Sequence, residues 1–553
     1  MKDKITITFN DQSTEEFDVN TPLYEIARSY QDRMENFIIG VKIENKVVDM
    51  NTKITKDTKV NFFDMNDLAG YKMYQAALKF VMSVATKEVF SNGSVIFEHS
   101  IDKGIMCRIK SDEPVTDEKL IELKTKMEEI IKADLPIKKI NVSKKEAVEY
   151  FNDIKEREKA VNIHKIANQF VVLYKLKDNY NYFYIDMPYS TGVLTKFDIL
   201  PLEGDYAVLL FPSPRSNNEV PKYTHNEKII ETFKRDKQWI KDMEVKFVTS
   251  FNELVAEGKV AEFVRMNELF FSNKIQELVY DILKKEKVRT ILIAGPSSSG
   301  KTTTTERMAT NLRALGKKVF MISVDNYYKD RKDVPRLPNG EHDLESINAL
   351  DTELFNKHLY ELLEGRPVVI PTYDFKTGTK SFNNKETTID ESAILLIEGL
   401  HCLNEELTKL IPRDTKYKVY LSPFTPLCTD RHNHVSTVDI RLIRRMIRDN
   451  RTRGSGVSET IRFWQNVRLG EEKHIFPHIK EADAVMNTAL IYELGVLKVY
   501  AEPILFSVEI DSPYYEEARR LVSFLNSFFP VSSEYVPRDS ILREFIGGSI
   551  YEK

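Results

Sequence analysis

The spacing of hydrophobic residues changes along the chain and predicts units of different architecture. Residues 1–63 begin with apolar side chains at every second position (Ile5, Ile7, Phe9), pass through a helical stretch at 23–30, and return to strand patterns at 38–43 and 59–63. A period of two is typical of strands with one buried face. The first segment is therefore predicted to be a small α+β domain.

Helical spacing dominates the next two segments. Residues 64–250 contain an apolar helical pattern at 76–90 and a charged amphipathic pattern at 115–137, with further strand and helix patterns after them. We expect a second α+β module here. Residues 251–288 combine helical spacing with many charges, which predicts a helical connector.

Residues 289–510 alternate short apolar runs with helical patterns. The predicted strands lie at 289–294, 319–325, 393–400, 418–422 and 483–487. Such a series predicts an α/β fold with a parallel sheet covered by helices on both faces, in which ligands bind at the carboxyl ends of the strands. Residues 511–553 are predicted to form a C-terminal helical tail.

Composition narrows the class of protein. A chain of 553 residues is too long for one core and predicts three or four domains. It has no signal-peptide core and no apolar run of about 18 residues, so we expect a cytoplasmic protein without a membrane partner. The only cysteines, Cys107, Cys402 and Cys428, include no CxxC pair, which excludes a disulfide framework and a cysteine-based zinc site.

A phosphate-binding motif stands at the start of the α/β segment. Residues 295–302 read GPSSSGKT, directly after a predicted strand and before a helical stretch, which is the setting that GxxxxGK[ST] requires. Backbone N–H groups of the loop face phosphates, Lys301 reaches the β- and γ-phosphates, and the Thr302 hydroxyl binds Mg²⁺. We therefore predict that ATP or GTP is bound by Gly295, Pro296, Ser297, Ser298, Ser299, Gly300, Lys301, Thr302 and Thr303.

Two carboxylates end predicted strands near this loop. Asp325 follows the second strand and is placed to accept a proton from an attacking hydroxyl and to help hold the metal. Glu398 closes an otherwise apolar strand, which is costly unless the carboxylate meets a cation or a hydrogen-bond donor. It is a candidate metal ligand.

These motifs resemble the uridine kinase family of nucleoside kinases, over roughly residues 285–510. In that family the Asp of a segment like Asp325–Tyr328 is the catalytic base, and the second aromatic, Tyr328, contacts the substrate. The stretch 342–351 aligns with the segment that carries a ribose-binding carboxylate, placed here at Glu345. IPTYDF (370–375) resembles the family hairpin whose aromatics, Tyr373 and Phe375, line the base pocket.

The resemblance extends to an arginine-rich lid. Residues 439–454, DIRLIRRMIRDNRTRG, are similar to the helix whose arginines close over the phosphates. It implies that Arg445 binds the nucleotide and that Arg448 and Arg453 take part in catalysis. Where pyrimidine kinases place a base-reading His, this chain has Gly378, so the choice of nucleoside stays open.

The N-terminal half resembles other families. Residues 1–63 resemble the TGS domain, a β-grasp module, and residues 64–250 resemble the second, editing-type domain of threonyl-tRNA synthetase. In the synthetase, a HxxxH pair and a later Cys and His bind metal, whereas this chain reads YKMYQ at 71–75 and YIDMPY at 184–189. Tyr, Gln and Met cannot replace that ligand set, so we expect the fold without the editing chemistry. The role of this cleft, in binding or as a scaffold, is left open.

Three functional hypotheses follow. The first is transfer of the γ-phosphate of ATP or GTP to the 5′-hydroxyl of a nucleoside, uridine or cytidine before others. The second is a kinase of another sugar-like acceptor, as in phosphoribulokinase. The third is a nucleotide-dependent RNA-binding or regulatory protein, but residues 1–63 carry nine Lys plus Arg against eleven Asp plus Glu, which offers no basic surface for nucleic acid. Homo-oligomer formation is open.

Overall fold

The computed structural model describes residues 4–101, 103–166, 168–337 and 340–552. Within these ranges the strands form six sheets. No helix in this part of the chain is long and apolar enough to cross a membrane. Cys107, Cys402 and Cys428 are buried and free.

The first unit packs one helix against two small sheets. The period-two residues Ile5, Ile7 and Phe9 lie in its core, each at most 2% exposed. The sheets have the strand orders β2-β1-β5 and β4-β3-β6. Their elements are β1 (Lys4–Thr8), β2 (Thr14–Asp18), α1 (Leu23–Tyr30), β3 (Gly40–Ile43), β4 (Lys46–Val48), β5 (Thr58–Lys59) and β6 (Asn61–Phe63).

The second unit is built around one long buried helix. Its apolar pattern is buried on nearly every side, because the helix packs between a four-stranded antiparallel sheet, another helix and a three-stranded sheet. The elements are α2 (Leu68–Val89), β7 (Ser94–Ile101), β8 (Gly104–Lys110), α3 (Asp117–Lys132), β9 (Lys138–Ser143), α4 (Lys144–Asp153), α5 (Arg157–Lys165), β10 (Phe170–Leu176), β11 (Asn179–Asn181), β12 (Asp198–Pro201) and β13 (Tyr206–Leu210).

The C-terminal half contains the predicted parallel sheet. Its five strands lie in the order β15-β18-β14-β19-β20, and every neighbouring pair is parallel. The elements up to the second strand of this sheet are α6 (Glu227–Asp242), α7 (Val248–Ala256), α8 (Val260–Leu283), β14 (Thr290–Ala294), α9 (Lys301–Ala314) and β15 (Val319–Ser323). The remaining elements are α10 (Thr352–Leu363), β16 (Val368–Asp374), β17 (Thr379–Thr387), β18 (Ile394–Glu398), β19 (Lys416–Ser422), α11 (Thr437–Arg453), α12 (Val457–His474), β20 (Ala484–Asn487), α13 (Glu493–Phe506), α14 (Tyr515–Leu525) and α15 (Arg543–Ile546).

One hydrophobic core joins the connector, the parallel sheet and the tail. It contains Phe263 of α8, Ile291 of β14, Ile443 of α11, Leu521 of α14 and Phe545 of α15. The domain boundaries at residues 288 and 510 therefore remain predictions. The hydrophobic core continues across both of them. The tail packs at the carboxyl end of strand β14, where the phosphate loop lies.

Candidate active site

The phosphate loop turns sharply between β14 and α9. Ser298 and Gly300 adopt left-handed backbone angles, with φ of 59° and 85°. A side chain at position 300 would also meet Ile541 Cδ1 at 2.1 Å, so only glycine fits. Lys301 Nζ donates to the carbonyl oxygens of Gly295 and Pro296 at 3.0 and 3.4 Å, which folds it over the loop, while Thr302 is exposed on the first turn of α9.

Helix α11 supports the loop with two buried arginines. Arg441 Nε donates to the Ser297 carbonyl at 2.8 Å, and Arg444 donates to the Ser298 carbonyl at 3.3 Å. Arg441 pairs with Glu471, whose carboxylate also accepts from the Ser297 N–H at 3.2 Å, and Arg444 pairs with Glu493 at 2.7 Å. The sequence did not identify this layer, because the acidic partners lie 30 and 49 residues away from their arginines.

The predicted lid arginines lie on the same helix. Arg445 donates to the Ser297 hydroxyl at 3.0 Å. Arg448 and Arg453 approach the carboxylate of Asp449 at 2.7 and 3.6 Å, and Arg445 approaches it at 3.2 Å. Asp449 was not a predicted site residue. It gathers three guanidinium groups that would otherwise repel one another.

The two predicted carboxylates come together beside the loop. Glu398 ends β18 and accepts from the Ser323 hydroxyl at 2.7 Å, in register with the last residue of β15. That strand ends at Ser323, two residues earlier than predicted, and a 3₁₀ turn at Val324–Tyr327 carries Asp325. Burial, then the charge of Asp325, raises the pKa of Glu398 to about 7. Burial also raises the pKa of Asp325, although Lys301, Arg453 and Arg448 oppose this.

Three aromatic rings form one wall next to Asp325. The ring centroids of Tyr328, Tyr373 and Phe375 lie 5.0 to 5.6 Å apart, and the Tyr328 hydroxyl donates to the Leu344 carbonyl at 2.9 Å. The guanidinium of Arg453 lies 5.8 Å from the Phe375 ring. The predicted hairpin is present as β16 and β17, and it carries two of these rings.

Glu345 lies close enough to Tyr328 for its charge to help raise the pKa of that hydroxyl, after burial and the charge of Asp325. The Oε2 of Glu345 is buried and has no hydrogen-bond partner in the described part of the chain. Burial, followed by the charge of Glu471, raises its pKa to about 7, while Arg445 and Lys301 lower it. A buried carboxylate oxygen without a donor suits a ligand that brings hydroxyl groups.

Gly378 occupies the position where the family resemblance leads to a base-reading His, and Arg331 lies against it. Gly378 has a φ of 71°, and a side chain there would meet Arg331 Nε at 2.7 Å. Arg331 Nη2 donates to the Phe375 carbonyl at 2.7 Å, and the Arg331 backbone N–H donates to the Gly378 carbonyl at 2.8 Å. A guanidinium, which only donates hydrogen bonds, therefore stands beside the aromatic wall.

Glu544 of the tail reaches the phosphate loop from the opposite side. Its Oε2 accepts from the Thr303 hydroxyl at 2.9 Å and from the Thr303 backbone N–H at 3.3 Å. The tail is also attached to α11, because Arg451 donates to the carbonyls of Phe545 and Glu544, both at 3.2 Å. No sequence pattern indicated this contact between residues 241 positions apart.

Comparisons with known proteins match the C-terminal half of the chain to kinases. A model of the Phosphoribulokinase / Uridine kinase family matches residues 290–491. The uridine kinase of Staphylococcus epidermidis is 33% identical over 197 residues, which are 35% of this chain and 84% of that kinase. A solved structure of a possible uridine kinase from Bacillus stearothermophilus is 22% identical and covers 39% of this chain and 98% of its own, with a TM-score of 0.27.

The N-terminal region has a different relative. The threonine–tRNA ligase of Caldanaerobacter subterraneus subsp. tengcongensis is 27% identical over 208 residues, which are 36% of this chain. The matched part is 32% of that ligase, so the chain spans about a third of the ligase's length. The region is thus similar to threonyl-tRNA synthetase domains, as its sequence predicted, whereas the TGS assignment stays a prediction.

The phosphate loop, the arginine helix and the acidic pair at the end of a parallel sheet define a P-loop phosphotransferase. The chain belongs to the phosphoribulokinase/uridine kinase family. It is an ATP-dependent kinase, which confirms the enzyme class predicted from the sequence.

Removing the charge of Glu544 is expected to strengthen ATP binding. The Glu544 carboxylate accepts a hydrogen bond from the Thr303 N–H. That N–H is one of the donors in the first helical turn that bind phosphate in such loops. Because both groups are anions, Glu544→Gln should lower the Kd for ATP by about tenfold, measured by equilibrium titration. Glu552→Gln, which changes another tail carboxylate that pairs with Arg451, is the matched control. An unchanged or weaker affinity in Glu544→Gln would show that the carboxylate does not compete with phosphate.

Glu345 is expected to make stability depend on pH. Its pKa is about 7 in the folded protein against 4.5 normally, so the folded state holds more protons between these values and stability falls as pH rises through this window. Glu345→Gln should therefore be more stable than wild type at pH 8, by about 1–3 kcal/mol, and about equal at pH 4.5. Thermal unfolding at both pH values measures this, with the exposed Glu353→Gln as control. An equal difference at both pH values would contradict the assignment.

Proposed function

We propose that this kinase transfers the γ-phosphoryl group of ATP to the 5′-hydroxyl of a nucleoside, with uridine and cytidine as the first candidates. The observation that carries the proposal is the acceptor pocket. It combines the unpartnered Oε2 of Glu345, the buried carboxylate of Asp325, and the rings of Tyr328, Tyr373 and Phe375. A carboxylate suits vicinal ribose hydroxyls, and aromatic faces suit a base.

The donor site has the groups that a nucleotide and a divalent cation need. Helix α9 begins at Lys301, so its first N–H groups and the Lys301 ammonium lie at the phosphate loop. Arg445 donates to the Ser297 hydroxyl of the same loop. Asp325, Glu398 and the Thr302 hydroxyl offer oxygen ligands of the kind that Mg²⁺ prefers. When bound, ATP supplies the transferred group and Mg²⁺ neutralises part of its charge. GTP as donor remains an alternative.

The chain's own residues then have separable roles. Asp325 accepts the proton of the attacking hydroxyl, which its buried position beside Lys301, Arg448 and Arg453 allows. Those cations hold the negative charge of the transferring group, and Glu345 fixes the sugar so that the hydroxyl points at the phosphate. With a base stacked on it, the aromatic wall would reduce the access of water to the reacting groups.

Arg331 is the candidate residue for selecting the base, because its guanidinium can only donate hydrogen bonds. A guanidinium beside the aromatic wall favours bases with carbonyl acceptors, such as uracil or a 6-oxopurine, over adenine. The phosphoribulokinase-like alternative needs no base pocket, so the three rings argue against it. The RNA-binding alternative ranks third, because it leaves this pocket without a role.

The test is ADP release with ATP and Mg²⁺ against uridine, cytidine, adenosine, guanosine, inosine, ribulose 5-phosphate and buffer. Turnover of one or more nucleosides above the buffer rate supports the proposal and orders the bases. Turnover of ribulose 5-phosphate alone would move the assignment to a sugar-phosphate kinase. Silence across the panel from protein that binds ATP would remove the nucleoside assignment and direct the search to RNA.

A further inference from the structure

A cavity of about 200 Å³ lies where the synthetase-like unit meets the kinase. Helix α2 and the hairpin β7–β8 form one side of it. The kinase segment 429–439, α12 and α14 form the other. The cavity is separate from the phosphate loop and the acceptor pocket, and nothing in the proposed reaction uses it.

The wall combines cations with rings and hydroxyl groups. Of its seven charged side chains five are cationic, namely Lys72, Lys79, Lys103, Arg468 and Arg520. The remaining two are Asp439 and Glu472, and five aromatic side chains contribute apolar surface. The described residues contain no cluster of His, Cys, Asp or Glu that could hold a metal. The chemistry of the wall therefore suits an organic anion rather than a cation.

Three of the five cations are already paired with acids, namely Lys72, Arg468 and Arg520. Lys72 Nζ lies 2.8 Å from Glu517. Arg520 makes two bonds of 2.8 Å to Asp439 and two more of 2.8 Å to Glu517. These ion pairs compensate the charges of their cations without a ligand in the cavity. They do not account for the remaining buried cation, Lys79.

Lys79 is buried, and its ammonium group has no acidic partner within 4 Å in the described ranges. It is 6% exposed, and Nζ donates to the His432 carbonyl at 3.0 Å. The rings of Phe97 and Phe183 lie 5.8 Å away. Burial lowers its pKa to about 8, while the charge of Asp430, which lies beyond ion-pair distance, raises it, so the group is still mostly protonated at pH 7. A buried charge with unused donors is costly unless something pairs with it, and such groups concentrate at functional sites.

The cavity also touches the supports of the phosphate loop. Ser436 on its wall caps α11, the helix that carries Arg441 and Arg445 to the loop. Arg468, also on its wall, bonds Glu471 at 2.8 Å, and Glu471 accepts from the Ser297 N–H. A ligand in the cavity would thus contact both helices that fix the loop's conformation.

We propose that this junction cavity binds a small organic anion, a carboxylate or phosphate monoester with an aromatic or apolar body, which pairs with Lys79 and alters nucleotide affinity through α11 and α12. The binding is independent of the proposed acceptor. Only the coupling rests on the phosphate loop as the ATP site. The ligand class follows from the wall, with an anionic group at the lysine and a flat or apolar body against the rings.

The full-length protein allows a direct test with model anions. At least one of the two anions benzoate and phenyl phosphate, tested separately at 20 mM, should raise the Tm by about 2 °C or more. Neutral benzyl alcohol should not. The two anions separate carboxylate from phosphate ligands. The protection should disappear in Lys79→Met and persist in Lys301→Met and in Lys87→Met, a control on the exposed end of α2.

A second measurement needs no ligand. If the buried charge of Lys79 destabilises the ligand-free protein, Lys79→Met should raise its Tm. If Lys79 instead has a purely structural role, loss of its hydrogen bond to His432 should lower the Tm of the variant. Lack of protection by both anions, equal protection of Lys79→Met, or a lowered Tm in that variant would each overturn the site. Protection without at least about a threefold change in the Kd for ATP would overturn the coupling alone.

Discussion

Replacing Asp325 by Asn is expected to lower kcat by about 10³-fold with the best nucleoside while leaving the Kd for ATP within about threefold of wild type. The amide keeps the shape of the side chain but cannot accept the proton of the attacking hydroxyl. Because the carboxylate lies among Lys301, Arg448 and Arg453, its removal also leaves those charges less compensated. Steady-state ADP release measures kcat, and equilibrium titration measures ATP affinity.

The control for this variant is Asp333→Asn. Asp333 is exposed and lies eight positions further on, so its change should leave both constants unaltered. If Asp325→Asn kept more than about a tenth of wild-type kcat, the proton would have to go elsewhere, and Glu398 would be the next candidate base.

Lys301→Met is expected to lower kcat/KM for ATP by about 10²- to 10⁴-fold. Methionine approximates the length of the side chain but removes its charge, which lies over the loop in reach of the Gly295 and Pro296 carbonyls. The loss should appear in both ATP affinity and kcat, since the charge acts on the bound and the transferring phosphate.

Lys317→Met, an exposed lysine just beyond α9, provides the matched comparison for charge removal. An effect on affinity alone in Lys301→Met would assign the lysine to ground-state binding. Wild-type kcat/KM in this variant would mean that the motif does not bind the phosphates.

The sequence predicted those features of the fold and site that depend on short-range pattern. The strand, loop and helix around GPSSSGKT, the hairpin with Tyr373 and the helix with Arg445 each occupy one contiguous segment. Local spacing and residue type are sufficient for such features. The proposed roles of the residues remain predictions, although the fold places them side by side.

The missed features depend on contacts between distant segments. Arg441 and Arg444 look like solvent-facing charges in the sequence, and only the packing of α11 against Glu471 and Glu493 buries them. Asp449 was indistinguishable from any helix-surface acid. The contact of Glu544 with Thr303 required knowledge of how the tail returns to the loop. Such pairings are set by tertiary structure, which a local pattern cannot encode.

The return of the tail to the phosphate loop also has a consequence for biosynthesis. The loop leaves the ribosome long before Ile541, Glu544 and Phe545, because Thr303 and its partner Glu544 are 241 positions apart. At about 5–20 residues per second, this interval lasts roughly 10 to 50 seconds. During translation the nascent kinase therefore exposes a loop that lacks its carboxylate cover and one side of its hydrophobic support. Chaperones can reach the loop in that interval, before Ile541 and Glu544 pack against it.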